Sequence, residues 1–362
     1  MLKKLFKEIC EKFPNDSDRV TKTFLIISKN YSRELQRIMG EQIYRQVWVK
    51  QPHLRGHIII NEGKVDKPTP FTFNSLFIKN IPLIEDLAYQ RTGCYPLINR
   101  HLGQRKLLMT EIYFLTRYGH LSNNVVYAGS ADGLHLPILH SMFPDKRLFL
   151  YDPAKFSQHV RRASERNPDK ISITQSFFPP PAQDEFYDIV KERFIFISDI
   201  RSKTEKVPSD EDVTRDMNLQ KEWIRKFKPL ASMLKFRLPW EDRHIVYYDG
   251  EILIQPWAPK KSTETRLIIT TDKLISYSSR EYETKMFYHN MYLRGKSYTI
   301  DDVSIVRIPS QCEYDSCYDC CSEKYIISQY LKRKITRYDY QQLYNMIEKT
   351  LGRDDYRMLR QD

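Results

Sequence analysis

The 362-residue chain has little glycine and no long apolar run. Its 11 glycines and 19 prolines are too few for a linker-like or low-complexity protein. No apolar stretch approaches the roughly 18 residues that a membrane span requires. The opening segment, Met1-Leu-Lys-Lys-Leu-Phe-Lys-Glu-Ile-Cys10, carries charges where a signal peptide needs an unbroken apolar core. Export is therefore not expected, and the sequence reads as cytoplasmic, without a membrane partner. There is no internal repeat. The dinucleotide fingerprint G-x-G-x-x-G and the lysine pattern of a phosphate-binding loop are also missing. Against these absences, 41% of residues are hydrophobic and 13% aromatic, enough to bury a core and too apolar for a disordered tail. The length suits two domains, or one large α/β domain with appendages.

Cysteine is scarce except in one place. Of six cysteines, Cys312, Cys317, Cys320 and Cys321 crowd into ten residues. They offer one C-x-x-C pair and no second pair at a distance, which favours incidental thiols of a reduced chain over zinc. No metal is expected. Charge is not scarce: 58 Lys+Arg against 46 Asp+Glu leave +12. Residues 1–60 hold 12 basic and 6 acidic side chains, so half the excess lies in about a sixth of the chain. Such a surplus suits a polyanion partner or, equally, a solvated basic surface.

Residues 1–70 read as helical. Leu2, Leu5, Phe6, Ile9 and Phe13 fall on one face, and a second amphipathic pattern runs from Phe24 to Val49. The stretch 61–72, with Gly63, Pro68 and Pro70, reads as a linker or exposed loop. A helix is predicted from Gln104 to Tyr118, with Leu107, Leu108, Ile112, Phe114 and Leu115 as its apolar stripe. Seven apolar runs then read as buried strands: 125–128, 147–151, 170–174, 193–197, 232–236, 251–255 and 266–270. Alternating with helical segments, they indicate a largely parallel sheet covered on both faces. Residues 338–359 suggest a closing helix. The expected organisation is a basic helical extension (1–72), a core (73–337) and a C-terminal helix (338–362).

The first strand ends in Ala128-Gly129-Ser130-Ala131-Asp132-Gly133-Leu134-His135 and leads into a helix. Glycines there let a ligand approach the backbone. The second strand ends in Asp152, 23 residues after Gly129, where a carboxylate suits two ribose hydroxyls. A tight turn with an exposed Asp would look similar, but the two features stand in register. With the dinucleotide and phosphate-loop patterns missing, S-adenosylmethionine is the nucleoside these residues suit, ahead of NAD or ATP.

Ionisable groups also lie where buried strands usually avoid them. The fourth strand runs into Ser198-Asp199-Ile200-Arg201, the fifth contains Leu234-Lys235-Phe236-Arg237, and Glu264 opens the seventh. With Lys106 from the preceding helix, two lysines and two carboxylates could converge at the carboxyl edge of the sheet. Each alone is more often a solvated strand end. Together they suit deprotonation of a ribose 2′-hydroxyl, with an aspartate orienting one lysine and a glutamate holding a second cation.

At this point the sequence resembles the poxviral cap-specific mRNA (nucleoside-2′-O-)-methyltransferase family. The strings that carry the resemblance are Leu102-Gly-Gln-Arg-Lys106, Val125-Val-Tyr-Ala-Gly-Ser-Ala131, Ile197-Ser-Asp-Ile-Arg-Ser-Lys203, Leu234-Lys-Phe-Arg237, Gln255-Pro-Trp-Ala-Pro259 and Tyr282-Glu-Thr-Lys-Met-Phe-Tyr288. They recur in order across about residues 80–330. The resemblance implies a Rossmann-like α/β fold with a mixed, mostly parallel seven-stranded sheet and S-adenosylmethionine as cofactor. It also implies a tetrad of Lys106, Asp199, Lys235 and Glu264, with Lys235 the general base. Gln104, Tyr127, Gly129, Ser130, Gly133, His135, Asp152, Phe177 and Asp199 would hold the cofactor. A 7-methylguanine cap would stack on Trp240, with Tyr89 as the second ring and Asp242 and Glu283 on its polar edge. Arg201, Arg237 and Lys261 would contact the RNA. In isolation Trp240 is more often packing and the two carboxylates surface charges. Capped mRNA is the implied substrate and a poly(A) polymerase catalytic subunit an implied partner, so a processivity role stands beside catalysis. The chain departs from the family at Asp132, where the family has proline, at Lys155, displaced by one from a basic residue, and at Lys261 in place of tyrosine. The N-terminal extension is left as an RNA-binding, partner-docking or packing element.

Overall fold

The computed structural model describes residues 2–12, 23, 36, 67–84, 102–179, 188–189, 191–202, 208–241, 243–259, 261–300, 307–309, 312, 314–333 and 338–351. Phe13, Tyr89, Asp242 and the amphipathic pattern at 24–49, apart from residue 36, lie outside the described residues.

Seven strands form the main sheet: β2 (Asn124–Ala128), β3 (Arg147–Tyr151), β4 (Ile171–Thr174), β5 (Ile195–Ser198), β6 (Ser232–Phe236), β8 (Glu251–Leu253) and β9 (Thr265–Ile269). All seven predicted runs are these strands. Their order is β4-β3-β2-β5-β6-β9-β8, and β9 runs antiparallel to both β6 and β8. The remaining pairings are parallel. After β2 the chain moves outward through β3 to β4, then returns to place β5 on the other side of β2. That reversal opens a crevice at the carboxyl ends of β2 and β5.

Strand register decides which side chains share a face. Tyr127 pairs with Ile197, Ile197 with Met233, and Lys235 with Arg266. Because side chains alternate along a strand, these five lie on one side of the sheet. Helix α2 (Gly103–Tyr118) covers that side, where Glu111 accepts a 2.7 Å hydrogen bond from the Tyr127 hydroxyl. The other side holds Phe196, which packs on Trp223 of α5 (Asp210–Phe227). Ser209 and Asp212 close a capping box at the start of α5, and Arg225 and Lys226 oppose the helix dipole at its end. Shorter helices α3 (Leu136–Met142) and α4 (Gln158–Arg166) follow β2 and β3.

Four features extend or correct the sequence reading. First, α2 is buried at 105–106 and 108–115, well beyond a single apolar stripe. Helices α7 (Tyr318–Leu331) and α8 (Tyr340–Leu351) cover the side facing away from the sheet. Second, the end of the supposed linker is built into the fold. Thr69–Pro70 (β1) pairs in parallel with Tyr298–Thr299 (β11), and Phe71 is buried beside Tyr298 and Tyr318. Proline is tolerated there because β1 has a single partner and needs few donors. Third, a two-stranded ribbon of β7 (His244–Tyr248) and β10 (Leu274–Ser278) was not predicted. Finally, α6 (Ser279–Tyr288) follows that ribbon directly. At the amino end, α1 (Leu2–Lys12) buries Ile9.

Candidate active site

The turn after β2 lies at the crevice. Gly129 and Gly133 adopt φ of 80° and 72°, a region that strongly favours glycine. A Cβ on Gly129 would lie 2.7 Å from the Asp199 carbonyl carbon and the Ile200 nitrogen. Glycine therefore lets the end of β2 press against the end of β5. Asp152 braces the same loop, accepting from Ala131 N at 3.0 Å and Ala154 N at 2.8 Å.

The predicted tetrad converges beside this turn. Lys235 Nζ lies 2.9 Å from Asp199 and 3.4 Å from Glu264, and Lys106 Nζ lies 2.7 Å from Glu264. Three elements bring them together: α2 supplies Lys106, the end of β5 supplies Asp199, and the antiparallel pair β6–β9 supplies Lys235 and Glu264. Arg266 is a member that sequence reasoning missed, with Nη2 2.9 Å from Asp199. Gln255 was missed as well; it bridges Glu264 and Arg266 at 2.9 and 2.8 Å. The one available signal was a charged Arg266 ahead of Leu267, Ile268 and Ile269 in a run read as buried. Arg201 reaches Glu264 from the exposed side at 3.3 Å.

Two buried cations, Lys106 and Arg266, and the part-buried Lys235 thus share two carboxylates. Burial alone would raise the Asp199 carboxyl, but Arg266 and then Lys235 outweigh it and hold it down to about 2. Burial likewise pushes Glu264 up, yet Lys106, Lys235 and Arg266 keep it well below the usual carboxylate range. Both stay ionised. The cost of crowding cations falls on the lysine from α2: burial pulls Lys106 below the ordinary lysine value, with Glu264 opposing and Arg266 adding to the effect.

Beneath the loop a chain of hydrogen bonds joins five side chains. Asp132 accepts from the Gln104 amide at 2.8 Å, and Gln104 Oε1 meets His135 Nδ1 at 2.6 Å. His135 Nε2 lies 3.0 Å from Glu111, which also holds Tyr127. Tyr127, Ser130 and His135 are therefore buried under the turn, whereas Phe177, beyond β4, is 77% exposed. A nucleoside with an amino-acid tail fits this arrangement: the turn presents bare backbone, Asp152 stands at the second strand end, and an exposed aromatic ring lies beyond β4.

Further out, Trp240 donates its backbone N–H to Asp210 at 2.8 Å, and the Arg237 guanidinium lies 4.9 Å over its ring. Glu283 is buried on α6, and Lys261 is half-buried, its ammonium lowered by that burial. Cys312, Cys317, Cys320 and Cys321 are all buried and none of them is in a disulfide. Burial pushes the Cys321 thiol up to about 12, and Cys317 rises as well, so neither is poised as a thiolate. Among the described residues no group of three or more ligating side chains converges to hold a metal, and no helix is long and apolar enough to cross a membrane.

An open, mostly parallel sheet with a glycine turn at its switch point and a lysine–carboxylate cluster beside it defines an α/β protein of the Rossmann-like methyltransferase class. Residues 66–360 match the poly A polymerase regulatory subunit family, and the chain belongs to that family. It is similar to the cap-specific mRNA (nucleoside-2′-O-)-methyltransferase of fowlpox virus (strain NVSL), with 32% identity over 54% of this chain and 68% of that protein. The myxoma virus (strain Lausanne) protein of the same name is also 32% identical, over 54% of this chain and 62% of its own length, just under two thirds. The solved structure of bluetongue virus VP4, described as a multifunctional RNA-capping production line, superposes with a TM-score of 0.37 at 14% identity. That superposition covers 63% of this chain and 39% of VP4, a likeness too distant to carry any role over.

Proposed function

We propose that the chain is a cap-specific mRNA 2′-O-methyltransferase, acting on the ribose of the first transcribed nucleotide of 7-methylguanosine-capped RNA. The observation that carries this reading is Lys235 Nζ, placed between Asp199 and Glu264 at the crevice edge beside the Gly129 turn. S-adenosylmethionine, when bound, supplies an electrophilic methyl group on a sulfonium. Asp152 would take its ribose hydroxyls, the backbone of the Gly129–Gly133 turn its close contacts, and Phe177 a face of its base. In its neutral form Lys235 would accept the 2′-hydroxyl proton, and the ammonium so formed would be held by both carboxylates. Asp199, fixed by Arg266, orients Lys235, while Glu264 holds Lys106 in reach. General-base removal of this kind is worth about 10²–10⁴ in rate, and in-line placement of the two substrates contributes further.

Trp240 supports the cap as recognition element, because its ring already carries a guanidinium and 7-methylguanine presents a comparable delocalised cation. Glu283 and Asp242 would then accept from the base edge. The family's description, poly A polymerase regulatory subunit, favours a second role beside a poly(A) polymerase, which we read as that of an RNA-binding processivity subunit; the two roles are compatible.

The deciding experiment is transfer of labelled methyl from S-adenosylmethionine to 7-methylguanosine-capped RNA by wild type and Lys235→Ala. Loss of transfer in the variant is expected. Equal use of uncapped RNA would replace the cap reading with a ribose methyltransferase of structured RNA. A wild-type chain that transfers no methyl yet stimulates a poly(A) polymerase would leave the processivity role alone.

A further inference from the structure

The segment Gln255-Pro256-Trp257-Ala258-Pro259 has no part in the chemistry above, yet it touches both α2, which carries Lys106, and the β9 end that carries Glu264 and Arg266. Gln255 is buried. Its amide nitrogen donates to the Glu264 carbonyl at 2.9 Å and to Glu264 Oε1 at 3.2 Å, while its oxygen accepts from Arg266 Nε at 2.8 Å. A carboxylate only accepts and a guanidinium only donates. A neutral side chain bridging the two must therefore both donate and accept, and a primary amide does. Glu264 in turn faces both lysines, and Arg266 holds the Asp199 that orients Lys235. One neutral side chain thus links the two halves of the charged cluster.

The rest of the segment is fixed to the scaffold. Trp257 Nε1 donates to Glu323 at 2.8 Å, and the Trp257 carbonyl accepts from Leu102 N at 3.0 Å, just before α2 begins. Trp257 has φ of 62°, a strained region for a bulky residue that persists when its surroundings determine it. Arg294, bound to Asp319 at 2.9 Å, donates to the Ala258 carbonyl at 2.6 Å and the Pro259 carbonyl at 3.3 Å. Helix α2, which carries Lys106, and Gln255, which carries Glu264, are therefore tied to the same strut.

We propose that Gln255 is a positioning residue for proton removal from the 2′-hydroxyl, setting the spacing of Lys106, Glu264 and Lys235 through its bridge between Glu264 and Arg266. The role rests on the methyl-transfer reading above. Gln255→Glu makes the bridge acceptor-only and sets a second carboxylate against Glu264; Gln255→Met keeps the volume and removes both hydrogen bonds. In the full-length chain, methyl transfer to 7-methylguanosine-capped RNA is measured against pH with kcat and KM separated. In parallel, acetylation of each lysine by acetic anhydride is followed against pH by mass spectrometry.

Positioning losses of this kind should lower kcat about tenfold in Gln255→Met and about a hundredfold in Gln255→Glu, with KM for S-adenosylmethionine within about threefold of wild type. The pH dependence of labelling at Lys106 and Lys235 should move, and that of the other lysines should not. Wild-type kcat and wild-type labelling profiles in both variants would overturn the proposal. Labelling needs no methyl transfer, so a chain inactive on capped RNA whose Lys106 and Lys235 profiles still respond to Gln255 would reject the methyl-transfer reading and retain the bridge. If Gln255→Glu fails to fold in a thermal melt, Gln255→Met decides the question alone.

Discussion

Arg105 and Lys106 are neighbours on α2, yet they enter ionic clusters of opposite design. Adjacent helical residues point about 100° apart, so Lys106 turns to the sheet edge and Arg105 to α7 and α8. Arg105 meets Glu323 at 2.7 Å and Glu348 at 2.9 Å, and Trp257 and Tyr314 donate to the same Glu323. That cluster sets one cation against two carboxylates, and both Arg105 and Glu323 are fully buried. The Lys106 cluster sets three cations against two carboxylates, and side chains such as Lys235 and Asp199 keep 14% and 16% of their surface. The comparison separates two uses of buried charge. Where the cation and its nearest carboxylate are sealed from solvent, as Arg105 and Glu323 are, they fix a docking geometry. Where cations are in excess and one edge stays open, a lysine remains reachable from solvent.

The sharpest way to break that contrast is to remove one cation from each side. Lys235→Met should lower methyl transfer by about 10²–10⁴ while the melting temperature stays near wild type; comparable loss of stability would make the open cluster structural too. Arg105→Met leaves the buried Glu323 without its counter-ion and should cost about 3–5 kcal/mol in urea unfolding. A near-native midpoint there would show that the sealed cluster does not hold α8. Trp257→Phe removes one donor to a buried charged acceptor, and the same measurement should register about 1.5–3 kcal/mol.

The smallest effect is in acid. The folded Asp199 carboxyl is held at about 2, below its ordinary 3.8, so the unfolded chain takes up the proton first. Its ionised form therefore stabilises the fold fully above that ordinary value, and the contribution fades as pH falls towards the folded one. Asp199→Asn should flatten the acid dependence of unfolding over that window. An unchanged acid slope would mean that Arg266 and Lys235 do not hold the carboxylate down.

Much of the sheet was legible because buried parallel strands are short, continuous apolar runs, and β3 and β6 were located to the residue. The β7–β10 ribbon escaped because its residues are mixed in exposure, with Val246 and Leu274 facing solvent, so no buried run marks it. Lys106, Asp199, Lys235 and Glu264 were nameable because ionisable groups in and beside buried strands are conspicuous. Gln255 and Arg266 were not: a glutamine after a strand draws no notice, and Arg266, although as conspicuous as Lys235, does not show which charges it faces. Their place comes from the antiparallel register that sets Arg266 opposite Lys235.

The sequence by itself determined the periodicities, and with them the seven strands of the main sheet, α2, and the glycine turn whose backbone needs positive φ. Only the tertiary structure decided that Arg105 and Lys106 part company, that His135 and Tyr127 meet Glu111 beneath the loop, and that an amide ties Glu264 to Arg266. Periodicity is a local property of neighbouring residues. Pairing of charges across 158 residues, as between Lys106 and Glu264, depends on strand order and register, which exist only once the sheet has formed.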